Sequence, residues 1–168
     1  LSSRSESLDS VTVRDAGPDD VLALAELHVT TWNAAHQVRT GRRPTVAIRA
    51  TQWRDKLSAS DAGNFCVVVE HVDHGMIGFA SGTPGDYPGF EGQLTKIYLL
   101  RQYQRLGLGR LLMCHAARRF REQGIDSMML FSYAENPSCG FFEALQGERQ
   151  EMNERFIAQE KEKTEAIT

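Results

Sequence analysis

The spacing of hydrophobic residues along the chain changes between a period of two, typical of strands, and a period near 3.6, typical of helices. Residues 11–14 alternate apolar and polar side chains, which predicts a first strand. Val21 and Leu24 then recur at helical spacing, after Pro18 and two acidic residues that suit the first turn of a helix. This second pattern predicts a helix that ends near Trp32.

The rest of the chain continues with the same two periods. Predicted helices cover about residues 47–58, 110–123 and 136–145. Predicted strands cover 65–70, 76–83, 93–100, 127–132 and a last strand at 149–157, and connections cover 33–45, 71–75 and 84–89. Consecutive strands early in the chain indicate antiparallel pairing, and the later strand–helix–strand order indicates a parallel pair. The pattern therefore predicts an α+β fold with a mixed, mostly antiparallel central sheet flanked by helices.

Length and composition predict one globular domain. The chain has 168 residues, of which 41% are hydrophobic and 24% charged, ordinary values for a chain that builds one core. We expect residues 1–10 to form a flexible polar segment, residues 11–157 to form the single domain, and residues 158–168 to form a polar tail.

Charge and apolar runs narrow the class of function. A net charge of −3 argues against nucleic-acid binding. No apolar run approaches the roughly 18 residues of a membrane span, and the N-terminus lacks the apolar stretch of a signal peptide. Cys66, Cys114 and Cys139 lack metal-ligand spacing and fit reduced thiols. We therefore expect a cytoplasmic protein without a metal and without a nucleic-acid or membrane partner.

The most informative motif is Gln-x-x-Gly-x-Gly at residues 104–109, because a predicted strand precedes it and a predicted helix follows it. A glycine-rich turn at the start of a helix directs several backbone N–H groups and the positive end of the helix dipole toward one point. Such a turn suits a phosphate or pyrophosphate, and a tight turn alone is the alternative explanation. The spacing is not that of a P-loop, and Leu112 breaks the dinucleotide-binding fingerprint. Arg105 and Arg110 are the candidates for phosphate contact.

This motif, together with the strand before it, resembles the acetyl-CoA loop of the GCN5-related N-acetyltransferase (GNAT) superfamily. A second segment, Asn-Pro-x-x-Gly-Phe-Phe-Glu at residues 136–143, is similar to a late helix of that family. The resemblance covers about residues 11–157. It implies a parallel strand pair splayed at the acyl-CoA site, acetyl-CoA as co-substrate, and direct attack of a primary amine on the acetyl group. It assigns the following residues to acetyl-CoA binding: Ile97, Tyr98, Leu99, Gln104, Arg105, Leu106, Gly107, Leu108, Gly109, Arg110 and Asn136.

Two residues depart from the family pattern. Phe142 occupies the position of a common Tyr that protonates the departing CoA thiolate, and Gln93 occupies the position of a frequent Glu that serves as base. Glu91, two residues earlier on the same strand face, is a candidate base, and Tyr133 is a candidate acid. A structural role is the alternative for each. The departures also leave open a GNAT-like module that binds acyl-CoA without efficient catalysis, as a sensor or interaction domain.

The family resemblance implies that the acceptor approaches from the side of the first two helices and their connection. Trp32 and His36 are four residues apart, so they share a helix face if the first helix continues past Trp32, and they are candidates for acceptor binding. A core position for Trp32 and a surface position for His36 are the alternatives. Arg39, Arg42 and Arg43 form a basic run that suits an acidic acceptor or a solvated loop. His71 and His74 lack further ligands in the sequence, so no metal is expected there. The expected partner is a small-molecule or peptide amine, and a homodimer stays open as an assembly state.

Overall fold

A five-stranded mixed sheet organises the chain. The computed structural model describes residues 10–36, 44–58, 63–132 and 136–150, with the backbone alone for His36 and Asp86. The sheet has sequential strand order, antiparallel from β1 to β4 and parallel between β4 and β5. This confirms the predicted α+β class with a mostly antiparallel sheet. The strands are β1 (Val11–Asp15), β2 (Phe65–His71), β3 (Gly75–Tyr87), β4 (Phe90–Leu99) and β5 (Met128–Met129).

The described residues form four α-helices: α1 (Val21–His36), α2 (Val46–Ser58), α3 (Leu108–Glu122) and α4 (Cys139–Ala144). The chain divides into two compact units, Leu1–Leu130 and Phe131–Thr168. The first holds the sheet and helices α1 to α3, and the second holds α4. Among the described helices, none has both the length and the apolar character needed to cross a membrane.

The main core lies between the sheet and the helices α1 and α2. Leu24 of α1 and Trp53 of α2 pack against Val68 of β2 and Phe79 of β3, and all four are almost fully buried. The Trp53 and Phe79 rings meet edge to face, with centroids 5.3 Å apart. Burial of such side chains contributes about 1.5–3 kcal/mol each, so this cluster fixes both helices on one sheet face.

Helix α3 covers the opposite face. Its buried side chains recur every four residues, which is the apolar stripe that predicted it. Phe120 packs edge to face on Phe65 of β2, with ring centroids 4.9 Å apart. A Cβ at Gly92 of β4 would lie 2.7 Å from the Phe120 ring, so only glycine permits this close approach. The stripe consists of Leu108, Leu112, Ala116 and Phe120.

A β-bulge interrupts the pairing of β3 with β4. Ser81 pairs with Lys96 and Gly82 pairs with Leu94, so Thr95 is an extra residue in β4. The bulge leaves Thr95 and Lys96 on the same side, since Thr95 hydrogen-bonds to a lysine of α2 and Lys96 lies near Trp53 of α2.

Some predicted boundaries were wrong. The loop predicted at residues 84–89 is shorter in the structure, because β3 continues as far as Tyr87. The Tyr87 ring is buried, and the pairing of β3 with β4 is irregular a second time between Pro84 and Tyr87. Helix α1 continues past Trp32, since no Gly or Pro follows until Gly41. Strand β5 is shorter than the strand predicted at residues 127–132. A run of apolar residues indicates burial, but a strand also needs a hydrogen-bonded neighbour.

Helix α4 begins later than predicted. Its N-cap is Ser138, two residues after Asn136, the first residue of the predicted range. Asn136 instead closes a turn before the helix: its Oδ1 accepts from the Ser138 N–H at 3.0 Å, and its carbonyl accepts from the Cys139 N–H at 3.0 Å. Local side-chain bonding of Asn competes with helix geometry in this way. The last predicted strand is not formed at residues 149–150, and its remainder lies outside the described residues.

Candidate active site

The edge of β4 that faces β5 is paired over a short stretch only. Gly92 and Gln93 pair with Met128 and Met129, and the described β4–β5 ladder ends there. On its other edge β4 stays paired with β3 as far as Leu99. Past Gln93, the described residues provide no ladder partner for β4 on the edge that faces β5, so an extended ligand can bind there as an added strand. The candidate residues Ile97, Tyr98 and Leu99 lie in this second half of β4.

A tight turn connects β4 to α3. Gln104 Nε2 donates to the Leu99 carbonyl at 3.0 Å, so the first residue of the motif ties the turn to the end of the strand. Arg105 has φ 66° and Gly107 has φ 91°, both in the left-handed region. A Cβ at Gly107 would meet no atom within 4 Å. Glycine is required there by its backbone angle, and the space beside it is open to a ligand.

The N-terminus of α3 has unpaired backbone donors. Gly107 is the N-cap, no side chain of the described residues caps the helix, and the first helical bond runs from the Leu111 N–H to the Gly107 carbonyl. The N–H groups at positions 108–110 precede that bond, and the helix dipole places partial positive charge on them. Leu108 is fully buried and anchors the turn, while Arg105 and Arg110 are exposed beside it. Leu106 is half-buried between them. This end of α3 suits an anion.

The described acid–base candidates on β4 have other contacts. Glu91 is exposed in β4, where its Oε2 accepts from the Asp126 N–H at 3.3 Å and ties β4 to the segment before β5. Gln93 is buried, and its Oε1 accepts from the Tyr87 hydroxyl at 3.4 Å. Tyr133 lies outside the described residues.

In the second unit, Phe142 is half-buried in α4 and packs edge-on against Phe141, with ring centroids 5.2 Å apart. Both aromatic residues of the family-like segment therefore take part in local packing.

The acceptor candidates lie on α1. Trp32 is half-buried, and the backbone of His36 ends the helix. Arg39, Arg42 and Arg43 lie outside the described residues.

The two histidines of the β2–β3 turn, His71 and His74, stack with ring centroids 4.5 Å apart. His74 Nδ1 hydrogen-bonds to the hydroxyl of Tyr103, which comes just before the motif. The two histidines therefore contact the segment just before the Gln104–Gly109 motif. In the described part of the chain, no group of three or more metal-ligand residues occurs.

Three cationic side chains that were not predicted as site residues lie close together between α2 and β4. Arg49 and Lys56 flank Trp53 at helical spacings of four and three, and Lys96 projects from the bulge in β4. Lys56 Nζ lies 5.9 Å and Lys96 Nζ 5.8 Å from the centre of the Trp53 ring. Lys56 Nζ also donates to Thr95 Oγ1 at 3.2 Å. We call Arg49, Lys56 and Lys96 the cation cluster; the helical spacing around Trp53 was its sequence signal.

The cation cluster is poorly solvated. Burial lowers the pKa of Lys96 to about 8, and the charges of Lys56 and Arg49 lower it further in the same direction. Burial also lowers the pKa of Lys56 and of Arg49. His28 of α1 faces the same region, and burial together with these three cations lowers its pKa to about 2, which keeps it neutral.

Comparison with known proteins identifies the family. The model of the acetyltransferase (GNAT) family matches residues 22–147. The chain belongs to the GNAT family. It is 32% identical over 142 residues to the uncharacterized N-acetyltransferase YuaI of Bacillus subtilis (strain 168), across 83% of this chain and 81% of that protein. These matches place it among the acyl-CoA-dependent N-acyltransferases.

Solved structures show the same GNAT fold. The PaiA N-acetyltransferase of Thermoplasma acidophilum, in complex with coenzyme A, superposes with a TM-score of 0.71 at 16% identity over 86% of this chain and 94% of that one. The aminoglycoside N-acetyltransferase AAC(6')-Iy, also in complex with CoA, superposes with a TM-score of 0.70 at 19% identity over 85% of this chain and 91% of that one. At these identities the likeness establishes the fold.

Proposed function

We propose that this GNAT protein transfers the acetyl group of acetyl-CoA to a primary amine of a small-molecule or peptide acceptor. The observation that carries the proposal is the continuity of the open β4 edge with the uncapped N-terminus of α3. An extended arm fits the open edge of β4, and an anion that follows the arm fits the N-terminus of α3. Acetyl-CoA has these two parts in the same order, as its pantetheine and its pyrophosphate.

Each part of acetyl-CoA has a proposed partner. The pyrophosphate accepts hydrogen bonds from the N–H groups at positions 107–110, with Arg105 and Arg110 adding charge from either side. The pantetheine arm pairs with the backbone of residues 97–99. Asn136 contacts the arm by family resemblance. Trp32 and His36 stay assigned to the acceptor side.

The reaction is one direct displacement. The neutral amine nitrogen attacks the thioester carbonyl carbon, the C–S bond breaks, and the electron pair leaves with the CoA sulfur. The amine loses one proton to solvent or to a base such as Glu91, and the thiolate gains one to give an N-acetyl product and free CoA. The Leu99 N–H is the proposed donor to the thioester oxygen. Holding the amine against the thioester supplies much of the rate by itself.

The cofactor half of the proposal is tested at Gly109. A bulky side chain in the first turn of α3 blocks close approach of the pyrophosphate to the backbone. Gly109→Val should therefore abolish CoA binding in isothermal calorimetry. Gly17→Val is the matched control, because Gly17 has ordinary extended backbone angles and a Cβ there would meet no atom within 4 Å. Unchanged CoA affinity in a folded Gly109→Val protein would remove the assignment.

A module that binds acyl-CoA without turnover is the second candidate, and one observation favours it. Gln93 presents an amide, not a carboxylate, and this amide is engaged by Tyr87. A thiol-release assay with a panel of amines separates the candidates. Release above the hydrolysis background with any amine establishes catalysis, whereas tight CoA binding with background release supports the module.

A further inference from the structure

We infer that the cation cluster binds a carboxylate of the acceptor, so that the substrate class is an amine that also carries an anionic group, as a free amino acid does. The inference rests on the proposed acetyl transfer, because it names the molecule that receives the acetyl group. The cluster differs from the acceptor residues predicted on α1, and it lies on α2 and β4.

The first argument is the set of unused hydrogen-bond donors around Trp53. The Nε1 of Trp53 and the Nε of Arg49 are buried and have no hydrogen-bond partner in the described part of the chain. The Nδ1 of His28 is in the same condition, and both ring residues are only 2% exposed. Indole and guanidinium N–H groups donate and never accept. Buried polar atoms are normally paired, so an acceptor-rich ligand is the missing partner.

The second argument is charge without a counter-ion. Among the described residues, no carboxylate lies within ion-pair distance of Arg49, Lys56 or Lys96. Half-buried like charges repel one another, and desolvation adds to the cost of keeping them together. The cation–π contacts of Lys56 and Lys96 with Trp53 offset part of this cost. A carboxylate placed among the three relieves both penalties at once.

The third argument is position along β4. Lys96 immediately precedes residues 97–99, the stretch with the open edge, and the bulge at Thr95 turns its side chain to the α2 face. An anion held by Lys96 therefore lies within a few residues of the proposed thioester site. The same cluster repels polycations, so polyamine-like or aminoglycoside-like acceptors are disfavoured.

The binding test uses succinate as the probe, with succinamide as the uncharged control of similar shape. Full-length protein saturated with CoA is titrated at constant ionic strength while tryptophan fluorescence is recorded. Succinate should give a saturable change and succinamide none. Lys96→Met and Arg49→Gln should each weaken succinate binding about tenfold or more, the effect of one lost charge-assisted contact. Arg54→Gln, on the exposed face of the same helix, should bind succinate as the wild type does.

Proton uptake provides a readout that a structural role would not change. A bound carboxylate raises the pKa of Lys96, so calorimetry at pH 8 in two buffers of different ionisation enthalpy should show proton uptake, and Lys96→Met should abolish it. The other titratable groups facing this region are Lys56, Arg49, His28, Cys66 and Tyr98. Equal responses to succinate and succinamide, or unchanged succinate binding in both variants, overturn the inference.

A turnover test connects the anion to the acceptor. Thiol release is compared within four pairs, each an amino acid and the amine lacking only its carboxylate: phenylalanine and phenethylamine, tyrosine and tyramine, histidine and histamine, lysine and cadaverine. At least one amino acid should exceed its amine in kcat/KM, and Lys96→Met should remove the difference. Succinate binding without thiol release from any amine leaves the anion site standing and contradicts acetyl transfer. Equal turnover within every pair leaves acetyl transfer standing and overturns the inference.

Discussion

At the scale of single residues, Phe142 offers a gain-of-function test. The family resemblance aligns it with a Tyr that protonates the CoA thiolate, and a phenyl ring has no proton to donate. Phe142→Tyr should raise kcat by up to about 10²-fold, the lower range of general acid catalysis, with little change in the KM for acetyl-CoA. Phe141→Tyr, in the same helix, is the control and should give no gain. No increase with any active acceptor would show that the acid is not needed here.

Residue-level prediction is most informative where the local geometry depends on neighbours in sequence. Gln104 and Gly107 were selected from their spacing, and the structure gives one a strand contact and the other a left-handed backbone. Lys96 was missed for a physical reason. Counting by twos from Gln93 would place Lys96 on the α3 face, and only the bulge returns it to α2. Its approach to Arg49, 47 positions away, depends on tertiary packing that no local pattern contains.

At the scale of elements, the open half of β4 predicts where a ligand protects the backbone. If pantetheine adds to this edge, CoA should slow amide hydrogen exchange at residues 97–99 and at the start of α3. Residues 67–69 of β2, which is paired on both edges, are the internal control. Exchange followed by mass spectrometry should show a larger slowing in β4 than in β2. Equal slowing in both strands would indicate general stabilisation instead of strand addition.

Elements were predictable to the extent that hydrophobic period and hydrogen bonding coincide. Helix α3 and strand β2 have both signals, and their predicted positions agree with the structure within about two residues. Strand β5 has the apolar run without a long partner, so it is shorter than its pattern. Asn136 has the residue type of an N-cap, yet its side chain closes a turn two residues ahead of the helix. The apolar run at β5 and the capping residue type at Asn136 therefore each predicted a longer element than the structure forms.

At the scale of the whole molecule, His28 makes stability depend on acidity. Its pKa in the folded protein is about 2, below the 6.5 of the free side chain, so the unfolded chain binds the proton first as pH falls. Folding stability should then fall from pH 6.5 downward, with a slope approaching about 1.4 kcal/mol per pH unit from this one group. Asp20, whose pKa is lowered by Arg14, adds to the loss only below about pH 4.

Denaturant unfolding between pH 7 and pH 4.5 measures the effect. His28→Gln removes the titrating group and should flatten the dependence, while His115→Gln, on α3, should leave the wild-type slope in place. A wild-type slope retained in a folded His28→Gln protein would assign the acid sensitivity to another group.

The extra residue in β4 also decides which changes of length the strand can survive. Thr95 and Lys96 share a face, so a deletion at Thr95 merges the bulge into regular alternation and leaves every other side chain of β4 on its present side. A deletion at Ile97 instead turns one part of the strand over relative to the other, which separates Lys96 from Tyr98. The bulge at Thr95 is therefore a position at which evolution, or an engineer, can add or remove a residue and retain the sheet.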